Sequence, residues 1–91
     1  MAHSVSLSWA ASTDTVSGYN VYRGATAGAE TTLLTPTPIT GTTFVDSAPL
    51  LGEDFYVAKS VLNGVQSVAS NEVSTVILPA PPTALVVVSS N

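Results

Sequence analysis

The 91-residue chain carries six acidic and two basic side chains, giving a formal net charge of −4, and it contains no cysteine. Two cations cannot follow a run of phosphates, so the composition argues against binding to nucleic acid or to anionic membrane surfaces. Disulfide and thiol chemistry are excluded, and no apolar stretch reaches the ~20 residues that a membrane helix needs.

The composition favours β structure in one small domain. Valine, threonine, serine and alanine dominate, whereas only 9% of the residues are charged. These residues are typical of strands and turns, and the usual residues of helix surfaces are scarce. No window shows a helical period, so we predict an all-β fold of short antiparallel strands.

The first predicted strand, residues 4–10, is the most informative segment. Val5, Leu7 and Trp9 alternate with serines and therefore share one face of the strand. We expect Trp9 to be sealed in the core and its strand to lie centrally in a sheet. Because almost nothing precedes this strand, another segment must cover it.

The remaining strands are predicted between turn signals. Residues 12–15 form a polar turn before a strand at 17–23, and Pro36 and Pro38 end a short strand at 31–35, since proline cannot donate to a ladder. A strand at 42–46, a crossing loop at 47–54 and a strand at 55–62 follow. Asn63 and Gly64 predict a two-residue hairpin turn, and residues 70–78 form the return strand. The predicted core comprises Val5, Leu7, Trp9, Tyr19, Val21, Phe44, Tyr56, Ala58, Val73 and Ile77.

The C-terminal segment resembles the start of a further domain. Residues 79–82, Pro-Ala-Pro-Pro, form a stiff extended linker, and residues 83–89 are apolar and β-branched. Two interpretations are open, namely the first strand of a further domain and a frayed tail. Free tails rarely carry four consecutive aliphatic residues, which favours the first interpretation.

Five motifs in order resemble a fibronectin type III domain of bacterial type. They are Leu-Ser-Trp at 7–9, Gly-Tyr-Asn-Val-Tyr-Arg at 18–23, Thr-Thr-Phe-Val-Asp at 42–46, Gly52 with 55–61, and 64–67 with 70–73. The resemblance implies an immunoglobulin-like β-sandwich of two antiparallel sheets. Two features depart from the family. The first strand of the family is absent. The family also has a tyrosine whose hydroxyl forms a hydrogen-bonded corner, and its position falls on Asp54. Either Tyr56 or Phe55 takes this role at a shifted position, or the corner is missing. No Arg-Gly-Asp tripeptide is present.

The resemblance also implies a domain organisation: a sandwich at 1–78, a linker at 79–82 and a first-strand-like segment at 83–91. Domains of this family have their first and last residues at opposite poles, so a C-terminal strand folding back onto its own domain would run parallel to the first strand. We therefore expect strand exchange with another molecule, giving a homo-oligomer. The alternative is a disordered tail at a misplaced boundary. The residues assigned to the exchange are Thr83, Ala84, Leu85, Val86, Val87 and Val88.

No constellation of catalytic residues is recognisable. Glu53 and Asp54 are adjacent, so they point in opposite directions on an extended chain and are interpreted as a solvated loop. The acids at positions 14, 30, 46 and 72 are isolated, with Asp46 and Asp14 interpreted as turn caps. His3 is the one histidine and has no ligand partner nearby in the sequence. We predict that the domain is not an enzyme, with no metal, cofactor or catalytic residue.

The resemblance implies a noncatalytic spacer or adhesion module within a larger extracellular or surface protein, secreted, bacterial, and joined in tandem to neighbouring domains. No signal peptide is visible, so the targeting signal would lie elsewhere, and residues 1–3 are interpreted as a cloning remnant or a natural start. The alternative is a module that binds carbohydrate or protein through an exposed aromatic sheet face. The residues assigned to that face are Asn20, Tyr22, Arg23 and Lys59.

Overall fold

The computed structural model describes residues 3–83 and 85–90. Within them the chain forms seven strands and no helix, which confirms the predicted all-β class. The strands are β1 (Val5–Ser8), β2 (Gly18–Gly24), β3 (Thr32–Leu33), β4 (Thr43–Asp46), β5 (Gly52–Leu62), β6 (Val65–Gln66) and β7 (Val73–Ile77).

The strands form two antiparallel sheets, an arrangement compatible with a β-sandwich. The larger sheet has the order β3-β2-β5, with β6 and β7 pairing with the two ends of the same edge of β5. The smaller sheet is the pair β1 and β4, in which Leu7 lies opposite Phe44. The long strand β5 therefore has partners along both of its edges, whereas β1 has one partner.

The Asn63-Gly64 turn is confirmed, because both residues have positive φ, at 51° and 80°. The return strand is interrupted. Between β6 and β7, the Ser67 hydroxyl accepts a hydrogen bond from the Ser60 N–H at 3.0 Å. The Ser70 hydroxyl accepts one from the Ala58 N–H at 2.9 Å. The N–H groups of the same two serines donate to the Ser60 and Ala58 carbonyls. Serine side chains thus replace backbone acceptors along this stretch, and for this reason β7 is shorter than predicted.

The buried apolar side chains among the described residues all belong to the larger sheet. They are Tyr19, Val21, Tyr56, Val57 and Val61, of which the first two and Tyr56 were predicted. Most of the other predicted core residues are half-buried. The prediction for Val73 is wrong, because its side chain is 45% exposed on a short edge strand. Tyr56 and Val57 are neighbours on β5 and therefore point to opposite faces, so β5 is buried on both faces at this point.

The predicted position of Trp9 is wrong in two respects. Its strand lies beside β4 alone and is not central in a sheet. The Trp9 side chain is half-buried, and its ring makes an edge contact with Tyr19 at 5.6 Å between centroids. The physical reason is that no described segment pairs with the second edge of β1.

Strand directions place both ends of the folded body on one side. Val5 at the start of β1 pairs with Asp46, which leads into loop 47–51, and Ile77 at the end of β7 pairs with Gly52. We call this side the crossing-loop end. The expectation that the two ends lie at opposite poles is therefore wrong for β1 and β7.

The C-terminal region leaves the body without regular structure. Residues 78–83 and 85–90 form no strand and are exposed, and the principal extents of the molecule are 69, 23 and 20 Å. The predicted linker and first-strand-like segment fall in this region. The described residues do not include Ala84 and Asn91 of this region. They also do not include the first two of residues 1–3, which were interpreted as a cloning remnant or a natural start.

Candidate functional site

Three of the four residues assigned to a binding face come together on the outer surface of the larger sheet. Asn20 lies opposite Lys59, and the Lys59 ammonium lies 4.9 Å from the centroid of the Tyr22 ring. Gln66, which the sequence reading missed, accepts hydrogen bonds from the Tyr22 hydroxyl at 2.8 Å and from the Asn20 amide at 3.3 Å. The Asn63-Gly64 turn was the signal that could have located Gln66, because it returns the chain beside β5.

Asn20 is held from inside the protein as well. Its Oδ1 accepts the Thr35 hydroxyl at 3.0 Å, and Thr35 Oγ1 accepts the Val21 N–H at 3.2 Å. Thr35 is only 2% exposed, and Asn20 is buried. Of the other residues of this face, Tyr22 and Lys59 are half-buried and Gln66 is exposed. Ligand binding at this face stays a prediction.

Arg23 lies on the opposite face of β2, because neighbouring residues of a strand point in opposite directions. Its guanidinium donates to Asp46 Oδ2 at 2.9 Å and to the Ala48 carbonyl at 3.0 Å. The Tyr56 hydroxyl donates to the same carboxylate oxygen at 2.8 Å, and Asp46 Oδ1 accepts the Ala48 N–H. Asp46 therefore caps its turn as predicted and also anchors a buried polar network.

The network shifts two pKa values. Burial would raise the pKa of Asp46, but the hydrogen bonds from Arg23 and Tyr56 outweigh it and hold that pKa below its usual value. Burial, followed by the hydrogen bond to Asp46, raises the pKa of the Tyr56 hydroxyl. The arrangement holds a charged carboxylate and a neutral phenol, with a structural role in joining β2, β4 and β5.

Two readings of the other acids are corrected. Asp54 is fully buried, because β5 already begins at Gly52, and its Oδ1 accepts the Leu50 N–H at 3.2 Å. Glu30 and Glu72 are not isolated. The hydrogen bond that protonated Glu30 donates to the Glu72 carboxylate raises the pKa of Glu30 and lowers the pKa of Glu72. Glu72 also accepts a hydrogen bond from the Gly28 N–H at 2.7 Å, which lowers its pKa further. This surface pair can share a proton.

An open cleft runs along the unpaired side of β1, between the two sheets. Its two halves, of about 130 and 160 Å³, share Trp9, Ala10, Ala58 and Ser70. Leu7 and Val73 line the half nearer the crossing-loop end, and Tyr19 lines the other. No charged side chain lines either half. We call this feature the β1 cleft.

Within residues 3–83 and 85–90, no three histidine or acidic side chains are grouped closely enough to hold a metal ion. A search of the same part of the chain for a helix with the length and apolarity needed to cross a membrane gave no result. Comparisons with protein-family models, with curated proteins and with solved structures each gave no match to this chain.

Proposed function

We propose that this chain is a fibronectin type III-like domain and serves as a noncatalytic spacer or adhesion module of a larger extracellular or surface protein. The fold assignment is supported by the five sequence motifs and by the strand pairing. A sheet of β1 and β4, facing a sheet built on β2 and β5, is what a seven-stranded sandwich leaves when its first strand is lacking.

The observation that carries the spacer function is the extended C-terminal region. Beyond β7 the chain is exposed and carries prolines at 79, 81 and 82, and the long axis of the molecule is about three times the other two, at 69 Å against 23 and 20 Å. Proline restricts its own φ and the conformation of the preceding residue, so such a segment keeps its ends apart. A compact body with a stiff arm fixes a distance between the parts that it joins.

Distance measurements between spin labels on cysteines introduced at Leu78 and Ser89 test this function, because the chain has no other cysteine. At high dilution we expect a narrow distribution near 34 Å, from ~3.1 Å per residue in an extended arm. The matched control replaces all three prolines with glycine and should shift the distribution towards about 18 Å, as for a flexible chain. Wild-type distances equal to those of the glycine variant would contradict a spacer.

The alternative, a binding module that uses the Tyr22 face, has weaker support. The face of the Tyr22 ring already holds the Lys59 ammonium, and its hydroxyl is bonded to Gln66. A ligand that stacks on Tyr22 would first displace this cation. Glycan-array binding by the full chain that disappears in Tyr22→Ala and persists in Val45→Ala, an exposed residue of the other sheet, would establish the alternative.

A further inference from the structure

The unpaired edge of β1 has the properties of a site for an added strand. The Trp9 N–H donates to the Thr42 carbonyl at 2.9 Å, so the backbone groups of Trp9 face β4. Backbone directions alternate along an antiparallel strand, and the groups of Ser6, Ser8 and Ala10 therefore face the β1 cleft. Within the described residues no backbone group pairs with them. An exposed strand edge of this kind binds a further strand through main-chain hydrogen bonds.

The lining of the β1 cleft also contains a buried hydrogen-bond donor without a partner among the described residues. Trp9 lines both halves, and its indole Nε1 is buried without a hydrogen-bond acceptor among the described residues. A buried donor without a partner costs about 1–3 kcal/mol. The described residues that line the cleft present apolar side chains, hydroxyls and the Asn71 amide, and none of them is charged. It therefore suits an uncharged segment that brings aliphatic side chains and backbone carbonyls.

The chain itself contains one segment with this chemistry, residues 85–88, which we call the aliphatic arm. Its side chains are exposed by 92, 69, 81 and 92% in chain order, although all four are leucine or valine. A contiguous run of exposed aliphatic residues is unusual in a monomer and typical of a surface that is covered in an assembly. Valine also favours the extended conformation that an edge strand requires.

We propose that the aliphatic arm of one copy pairs with the free edge of β1 in a second copy. The strand directions select another copy over the arm's own domain. β7 ends beside Gly52 at the crossing-loop end, where β1 begins. An arm folding back there would run parallel to β1 and would have to reverse direction within the prolines of 79–82. An arm from another copy enters at the far end and runs antiparallel.

This pairing is heterologous, because each copy donates its arm at the crossing-loop end and accepts an arm from the opposite end. Heterologous contacts that do not close give open chains of molecules. The result is a head-to-tail series of bodies connected by stiff arms. The inference goes beyond the spacer function and does not rest on it, since the spin-label distances at high dilution concern a single molecule.

The first experiment measures the mass of the full chain by sedimentation over a range of concentrations. We expect a series of oligomers that grows with concentration. In an inserted strand only alternate side chains face the cleft, so one of the two variants, Leu85→Asp/Val87→Asp or Val86→Asp/Val88→Asp, should weaken association by at least about tenfold and the other much less. A wild type that stays monomeric, or two variants with equal effects, would overturn the proposal.

The second experiment separates donor from acceptor. Ser8→Pro removes an N–H from the free edge of β1 and should block acceptance, with Ala10→Pro as a second acceptor variant and circular dichroism as the check of folding. The arm variant that weakens association can accept an arm but cannot donate one. Either proline variant can donate its arm but cannot accept one, and the two kinds of variant are mixed. The mixture should give a 1:1 dimer and no longer species. A mixture that stays monomeric, or forms the wild-type series, would refute arm donation.

Trp9 provides a spectroscopic readout, because it is the one tryptophan of the chain. Addition of a strand over the β1 cleft should shift Trp9 emission to shorter wavelength and reduce acrylamide quenching as concentration rises. The disruptive arm variant alone should show neither change. Association of the wild type without any change at Trp9 would place the contact elsewhere and contradict the proposal.

Discussion

In the larger sheet β5 has partners along both edges, whereas in the smaller sheet β1 has a partner along one edge among the described residues. The buried apolar side chains of this part of the chain belong to the larger sheet, and at the crossing-loop end its polar groups are anchored by the Asp46 network. The smaller sheet leaves Trp9 half-buried beside an open cleft. The comparison teaches that the buried apolar packing lies in one sheet and the unpaired strand edge in the other.

The largest effect is expected from breaking the anchored region. Asp46→Ala should destabilise the fold by about 3 kcal/mol, since it leaves the buried Arg23 guanidinium without its counter-ion. Urea unfolding of wild type and variant measures the difference. Asp14→Ala removes an equal charge from an exposed turn and should cost less than about 0.5 kcal/mol. Equal losses in the two variants would show that the network does not anchor the sheet.

An intermediate effect should distinguish the two sheets by packing. Val21→Ala in β2 should cost roughly 2 kcal/mol, because the side chain is 1% exposed and its removal leaves a cavity. Val45→Ala in β4 is the matched control, with the side chain 54% exposed, and should cost less than about 0.5 kcal/mol. Thermal unfolding under conditions that keep both variants monomeric measures the contrast. Similar costs would mean that the smaller sheet is as well packed as the larger.

The smallest effect is expected in the pH dependence, because burial of Asp46 opposes the hydrogen bonds that it accepts from Arg23, Tyr56 and the Ala48 N–H. A lowered pKa in the folded state contributes stability above the unfolded pKa, and that stability is lost as the pH falls through the folded value, below about pH 4. The raised pKa of Tyr56 contributes stability that is lost above about pH 10.

Asp46→Asn should flatten the acid limb of the stability curve and Tyr56→Phe the alkaline limb. Chemical denaturation at a series of pH values measures both limbs. An acid limb that is unchanged in Asp46→Asn would assign the acid sensitivity to other carboxyl groups, and the surface pair Glu30 and Glu72 is the alternative to test by Glu30→Gln.

Local patterns allowed much of the fold to be predicted. Alternation located β1 and β2, turn signals located most of β5, and the Asn63-Gly64 dipeptide located the hairpin turn, since these signals arise from neighbouring residues. The Asp46 network could not be predicted, because its three members are separated along the chain and meet only when β2, β4 and β5 pack together. The burial of Asp54 was missed for the same reason.

The sequence by itself determined that the chain is all-β, which segments alternate, and that an aliphatic run follows the prolines. These properties depend on composition and on intervals of a few residues. Only the tertiary structure decided that Arg23 faces Asp46 and that no described segment pairs with the second edge of β1, so that the β1 cleft stays open. Burial and strand pairing depend on which distant segments come together in space, and such pairings leave no local pattern in a single sequence.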